Sequence, residues 1–336
     1  MQPLVSILIP SFNAERWIKQ TLESAIGQDY PHKEVIIVDD GSTDRTLEIV
    51  RTYVSRSVHV ITQPNAGGPA ARNRGLAHAQ GEYVQWLDHD DLLAPSKISN
   101  QIDEWERVRS DRVLFSCPYA AFYYRWNRAR LSQSRLYRNL TPSEYYLIKF
   151  SDDTFIHPSS WLVSRKLSDL AGPWWELRSP DDDGEYFCRV VAASEGIHFV
   201  QKARSYWRVG NQGFSEAWRR SQVHLEALFQ TTIRCVEHYR KFEDSRRSRA
   251  ACVAFLQNRL IYFYPDSPHI VKHVSALAEE LGGVLTPPQL KWQYRYVEAV
   301  FGRPATQRFR VALPSPKQSA ERSWDHLMFN LERIRF

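Results

Sequence analysis

Gly81-Glu-Tyr-Val-Gln-Trp-Leu-Asp88-His89-Asp90-Asp91 decides how the rest of the chain is read. Tyr83 to Leu87 form a short apolar and aromatic run behind a glycine able to end a helix, the pattern of a buried strand. Three carboxylates within four residues follow at once. A strand ending this way puts its charges at the carboxyl edge of a sheet, where open α/β sheets bind ligands. Like charges so close repel and cost stability unless a cation neutralises them. An oxygen-only set suits Mg²⁺ or Mn²⁺, ions that often bridge carboxylate to phosphate. An Asp-rich turn capping the next helix at Asp91 or Ser96 would account for the same residues.

Outward from this stretch the same design recurs. Val5-Ser-Ile-Leu-Ile-Pro10 is an apolar strand stopped by proline, with Ser11-Phe12-Asn13 as the loop at its end. Glu34-Val-Ile-Ile-Val-Asp39-Asp40 is a second strand ending in carboxylates, and 58–62 a third. Residues 14–28 carry apolar positions at helical spacing, another helix runs through Leu47, Ile49 and Val50, and Pro69 suits the first turn of a helix over 70–79. Alternating strands and helices predict a doubly wound, mostly parallel sheet of the Rossmann-like α/β class. Further strands are expected over 113–119, running on toward Tyr124, and near 161–163. Beyond about Gly213 the pattern is helical, over 216–242, 246–264, 269–281 and 320–334. The expected organisation is therefore an α/β domain over 1–212 (halves about 1–95 and 96–212) with a helical C-terminal appendage over 213–336.

Composition is that of a globular protein, 43% hydrophobic and 24% charged. No run approaches the ~18 apolar residues of a membrane span and no secretory leader pattern opens the chain. The expectation is a cytoplasmic protein or one peripheral to the inner face of the cytoplasmic membrane. Cys117, Cys188, Cys235 and Cys252 lack metal-site spacing and read as free thiols. The net charge of +6 is uneven: residues 1–210 carry 25 basic against 26 acidic side chains, residues 211–336 carry 19 against 12.

Polar strand ends at Pro10–Asn13, Asp39–Asp40 and Asp88–Asp90 share one sheet edge. Phe12 is placed either to stack on a nucleobase or to join the core, and Asp40 to accept a base N–H. Gly67 and Gly68 allow close backbone approach, and the helix N-terminus behind them favours a diphosphate, with Arg72 able to pair with it. A lone Gly-Gly turn carries little information.

Together, Ile9-Pro-Ser-Phe-Asn13, Ile37-Val-Asp39-Asp40-Gly-Ser-Thr-Asp44, Asn65-x-Gly67-Gly-Pro-Ala-Ala-Arg72-Asn-Arg-Gly75 and Leu87-Asp88-His89-Asp90-Asp91 resemble the family 2 glycosyltransferases over roughly 4–210. The resemblance implies the GT-A fold, a nucleotide-sugar donor (most often UDP in this family), inversion at the anomeric carbon, and a role in bacterial-type surface polysaccharide or glycoconjugate synthesis. It implies that Pro10, Ser11, Phe12, Asn13, Asp39, Asp40, Gly67, Arg72, Asp88 and His89 line the donor site. Asp88-His89-Asp90 would be the DxD element, with Asp90 and Asp88 toward Mn²⁺ or Mg²⁺. Phe12 stands where many relatives have tyrosine. Ser179-Pro-Asp181-Asp182-Asp183-Gly184-Glu185-Tyr-Phe-Cys-Arg189 resembles the acidic pair followed by arginine, which implies Asp183 as catalytic base. Asp181 and Asp182 compete for that role, and an acidic turn capping a helix explains the run equally. His157-Pro-Ser-Ser-Trp161, with Asp182 and Arg208, resembles the acceptor side, and a structural role for His157 would explain that residue equally. Tyr206-Trp-Arg208-Val-Gly210 departs from the family's Tyr-Arg-x-His: Gly210 replaces the histidine, leaving water for that metal position.

Such chemistry needs a base for the acceptor hydroxyl and charge stabilisation for the departing diphosphate. A nucleotidyltransferase would be expected to place a cation in its first loop, and Pro10–Asn13 has none. A catalytically inactive nucleotide-sugar binding module would not need Asp183. No nucleic-acid motif accompanies the basic C-terminal part. Lys291, Trp292, Tyr294, Arg295 and Tyr296, with Arg303, Arg308 and Arg310, mix aromatic and basic groups as membrane-surface segments do, though helix–helix packing or a dimer interface explains the aromatics equally. A lipid-linked glycan is then a candidate acceptor. The stretch 119–138, with Tyr123, Tyr124, Arg125, Trp126, Arg128 and Arg130, reads as an acceptor surface or a solvated hairpin.

Overall fold

The computed structural model describes residues 2–210, 221–288, 298–302, 306 and 316–334. The strand β1 (Val5–Ser11) is followed by α1 (Ile18–Ile26), β2 (Lys33–Asp39), α2 (Thr46–Arg51), β3 (Val58–Thr62), α3 (Gly68–His78) and β4 (Tyr83–Trp86). A short β5 (Leu92–Leu93) and α4 (Lys97–Val108) lead to β6 (Val113–Ser116), β7 (Tyr119–Phe122) and β8 (Arg130–Leu131). Then come α5 (Pro142–Asp152), β9 (Val163–Ser164), α6 (Arg165–Ala171), α7 (Asp182–Ala193), β10 (Gly196–Phe199) and β11 (Ser205–Arg208). Beyond them lie α8 (Gln222–Phe242), α9 (Arg246–Phe263), α10 (Pro268–Glu280) and α11 (Pro316–Ile334).

The main sheet has the order β3-β2-β1-β4-β9. Its first four strands are parallel, as alternating strands and helices dictate, and β9 closes the edge antiparallel to β4. Register aligns Ser11 with Asp39 and Asp39 with Thr62, so the polar strand ends share one rim. Side chains alternate across the strands. Leu8, Ile36, Val38, Val84 and Trp86 enter one apolar core, and Ile7, Ile9, Val35, Ile37 and Leu87 enter the other.

The single strand expected over 113–119 is two. β6 pairs with β10, and the chain then crosses at Cys117-Pro118 into a separate sheet of order β5-β11-β7-β8. Proline supplies no ladder donor, so the strand cannot run through it. The strand expected near 161–163 is displaced to Val163–Ser164, with Trp161 ending a 3₁₀ turn at 158–160. All four cysteines are buried free thiols.

The C-terminal helices fall close to the predicted spans. α8, α9 and α10 share the first core with α5 and α7: Tyr239 stacks on Tyr146 with ring centroids 4.6 Å apart, and Phe255 lies 4.5 Å from Phe150. The boundary expected near 212, and the aromatic-basic segment at 291–296 with Arg303, Arg308 and Arg310, lie outside the described residues. No helix among the described residues is long and apolar enough to cross a membrane.

Candidate functional site

At the carboxyl rim of the main sheet lies a cavity of about 600 Å³. Pro10, Ser11, Phe12, Asn13, Asp40, Gly67, Arg72, Asp88, His89 and Asp90 all line it, together with Asp182. Asp39, also expected there, sits one layer behind: it is buried, and its Oδ2 accepts the backbone N–H of Ser42 at 3.3 Å.

Asp40 builds the glycine loop. One carboxylate oxygen accepts from Gln63 Nε2 (2.7 Å) and Ala66 N (2.9 Å), and the other from Gly67 N (2.7 Å). Gly67 has φ +100°, outside the range of ordinary side chains, and a Cβ there would stand 2.7 Å from Arg178 Nε. Arg178 crosses from the second half of the chain to bond the carbonyl oxygen of Asn65 at 3.1 Å, and it lines the cavity. Neither Arg178 nor His224, which lines the cavity from the first turn of α8, belongs to a recognisable motif. The arginine three residues before the acidic run was the only available signal.

Arg72 ties the two halves together. Its guanidinium donates to Asp88 Oδ1 at 2.8 Å and Asp182 Oδ2 at 3.0 Å, and it lies 4.5 Å from the centroid of the Trp174 ring. Trp174 stacks on Tyr186 at 4.1 Å, giving the cation a fixed aromatic floor. Burial pushes the Asp88 pKa up, but Arg72, His157 and His89 together outweigh it and hold the group below the ordinary carboxylate range. For Asp182 burial wins over Arg72 and the pKa is raised.

The acidic turn has a front and a back. Asp88 and Asp90 face the cavity. Asp91 is buried beneath them: its Oδ1 accepts the backbone N–H of Arg208 at 2.8 Å, and its Oδ2 lies 3.4 Å from His157 Nε2. Burial, then Asp90 and Asp88, push the Asp91 pKa well up, while burial takes His157 down to about 4. Donor atoms of Asp88, Asp91 and His157 all lie within 4.8 Å of one another. Asp90 is not in that group. The oxygens of Asp88 and Asp90, which both face the cavity, fit the donor preferences of Mn²⁺ or Mg²⁺, and Asp91 and His157 lie behind them.

Three residues expected on the acceptor side do not line this cavity. His157 is buried behind the acidic turn, with Nδ1 2.9 Å from Ser159 Oγ. Trp161 is fully buried and stacked on Phe187, because its flat apolar ring gains most from the core. Arg208 is buried between the Trp17 and Phe122 rings; its Nε donates to the Asp90 carbonyl at 2.8 Å, so it supports the turn from behind. Asp182 is the one of the four that reaches the cavity.

Asp183 occupies the first turn of α7, its backbone N–H donating to Asp182 Oδ1 at 2.8 Å. Burial, then Asp181 and Asp182, raise its pKa to about 7 against the pull of Lys149 and Arg72. A carboxyl group so poised can take and release a proton near neutrality. Glu185, two residues on, is instead held down to about 2: burial opposes, but His238 and Arg189 prevail.

Comparison with known proteins gives the same picture. The family model described as glycosyl transferase family 2 matches residues 6–170. The putative teichuronic acid biosynthesis glycosyltransferase TuaG of Bacillus subtilis is 43% identical over 105 residues, 30% of this chain and 42% of its own length. The chain spans less than half the length of the first curated relatives it matches. Among solved structures, S. aureus TarS 1-349 in complex with UDP-GlcNAc is similar at TM-score 0.62 and 18% identity, over 91% of this chain and 90% of that one. The mannosyltransferase PcManGT from Pyrobaculum calidifontis, in complex with GDP-Man and Mn²⁺, is similar at TM-score 0.52 and 18% identity, over 98% and 86%. Both likenesses show the GT-A fold.

Proposed function

We propose that this chain, which belongs to glycosyl transferase family 2, moves a sugar from a nucleoside diphosphate, UDP in the first instance, to an acceptor hydroxyl with inversion. The observation that carries the reading is Arg72 spanning Asp88 and Asp182 in one cavity. It joins the glycine loop, the acidic turn and the acidic helix around a space sized for a small ligand.

Asp183 removes the acceptor hydroxyl proton, the freed oxygen pair attacks the anomeric carbon, and the bond to the diphosphate oxygen breaks on the opposite face. An α-linked donor thus gives a β-linked product. Phe12 offers its ring to the base, and the start of α3 offers backbone N–H groups to the diphosphate. Asp88 and Asp90 would hold Mn²⁺ or Mg²⁺, which when bound neutralises the departing diphosphate. Arg208, Asp91 and His157 keep that turn in shape.

The acceptor is a glycan, free or lipid-linked, in surface polysaccharide or glycoconjugate synthesis. Work at the inner face of the cytoplasmic membrane fits a lipid-linked acceptor. The test is a panel of nucleotide sugars with Mn²⁺, read by thermal shift and by release of nucleoside diphosphate. At least one donor should raise the melting temperature and be turned over. Stabilisation without release from any donor, with acceptor glycans present, would favour a binding module and sink the transferase reading.

A further inference from the structure

A second cavity, of about 650 Å³, lies between the β7–β8 hairpin and α11, outside the donor site. Its walls are Tyr123, Arg125, Arg128 and Arg130 on one side and Trp324 and Met328 on the other. We propose that this cavity binds an acidic glycan, one carrying carboxylate or phosphate groups, as the distal part of the acceptor chain. The proposal rests on the transferase reading, since it makes the bound glycan a substrate.

Charge supports an anion. Between Asp111 and Glu144 the sequence has six arginines and no Asp or Glu. Arg125 is fixed, its Nε 2.7 Å from Asp325 Oδ1 and its other arm 2.9 Å from Glu332. Arg130 is held loosely, 3.3 Å from Glu321 with most of its side chain in solvent. Exposed pairs of that kind are weak, so an incoming acid can take the guanidinium. Arg128 has no carboxylate partner among the described residues, and its planar fork suits a carboxylate or phosphate.

The remaining lining suits a sugar. Trp324 is 62% exposed at the wall and presents a flat apolar face to a pyranose ring. Glu321 and Asp325 supply acceptors for hydroxyl groups beside the arginine donors. An anionic bilayer would instead meet the Glu321 and Glu332 carboxylates and a concave surface. The inner face of α11 is already engaged: His326 stacks on Tyr124 at 4.6 Å, and Asp325 accepts the Tyr124 backbone N–H at 2.9 Å.

Position fits the distal part of an acceptor. Phe122 forms part of the cavity wall, and Arg208 lies 4.4 Å over its ring while donating to the Asp90 carbonyl. One residue layer therefore separates this cavity from the metal-binding turn.

Calorimetry on the full chain with oligogalacturonate and with dextran phosphate, using neutral dextran for comparison, tests the proposal. Both acidic glycans should bind in a salt-sensitive manner, and dextran at least about tenfold more weakly. Arg128→Gln and Trp324→Ala should each weaken binding about tenfold without lowering the melting temperature. Arg128→Gln should leave donor hydrolysis in the absence of acceptor unchanged. Failure of both acidic glycans to bind, equal binding of dextran, or indifference to both substitutions would overturn the proposal. So would Arg128-dependent binding to phosphatidylglycerol vesicles with no glycan binding, which would make the face a lipid contact. Because glycan binding is read without donor, it stands apart from turnover. Acidic-glycan binding by a chain that releases no nucleoside diphosphate would sink the enzyme reading and leave the glycan-binding cavity in place.

Discussion

Arg259 of α9 lies 2.9 Å from the carboxylate of Asp181, two residues before the proposed base, and its Nε donates to Asp153 at 3.0 Å. Asp153 has φ +46° and ends α5, so one guanidinium joins α5, α7 and α9. A second link runs from His238 of α8 to Glu185 of α7 at 2.9 Å. The C-terminal helices thus hold the acidic helix from behind. Arg259→Met leaves two largely buried carboxylates unpaired and should cost about 3–5 kcal/mol, measured by denaturant unfolding. Adding Asp181→Asn should recover part of the loss. A double variant whose loss is the simple sum of the two would show that the pair is not coupled.

Asp183 should set the acidic limb of the pH–rate profile. Its carboxyl group is raised to about 7, and it acts as a base only when ionised. Transfer should therefore climb with pH up to about 7 and level off above it. Asp183→Asn should lower the rate by about 10²–10⁴-fold with donor affinity nearly unchanged. A limb in the ordinary carboxylate range, or normal turnover by the variant, would put the base elsewhere.

Asp90→Asn should remove the divalent-dependent part of donor affinity, and a chelator should do the same to the native chain. Asp88→Asn should in addition free one arm of Arg72, which now bonds Asp88 at 2.8 Å. Titration calorimetry with UDP, with and without Mn²⁺, reads both. Unchanged Mn²⁺ dependence in Asp90→Asn would count against the DxD assignment.

The strand ends were legible because each joins an apolar run to an abrupt acidic stop: β2 ends on Asp39, and β4 ends two residues before Asp88. Helix spans such as 246–264 were legible from apolar spacing and from Pro265. The split between β6 and β7 was not, because Val113–Tyr119 keeps its apolar character across Pro118 and only tertiary pairing decides where each half goes. His157 and Asp91 are 66 positions apart, and no local pattern announces that they meet. Burial of Trp161 and Arg208 was not legible either: both sit in motifs that suggest contact with substrate, and both side chains are buried. Arg178 went unnoticed because its partner Gly67 lies 111 residues away, in the other half of the domain.

Gly67→Ala tests that long-range contact. The added methyl would meet Arg178 at 2.7 Å and require a left-handed backbone, φ +100°, at an alanine. The expected cost is more than about 1 kcal/mol in stability, with weakened UDP binding as the loop shifts. Arg178→Ala in the same chain should relieve the collision but not the backbone strain. Full recovery of UDP affinity in the double variant would mean that collision alone is at fault.

Trp161 separates a packing role from a binding role. Its ring lies between Phe187, stacked at 5.3 Å, and Tyr145, edge-on at 6.0 Å, with none of its surface in solvent. Trp161→Ala should destabilise by about 3–5 kcal/mol through the void it leaves. Trp161→Phe fills much of that void and should restore most of the stability. If the ring only packs, the KM for acceptor should match the native value in Trp161→Phe once unfolded protein is discounted. A raised acceptor KM with unchanged melting temperature would return Trp161 to the acceptor side, and would require a face of the ring to open that is now covered by α7.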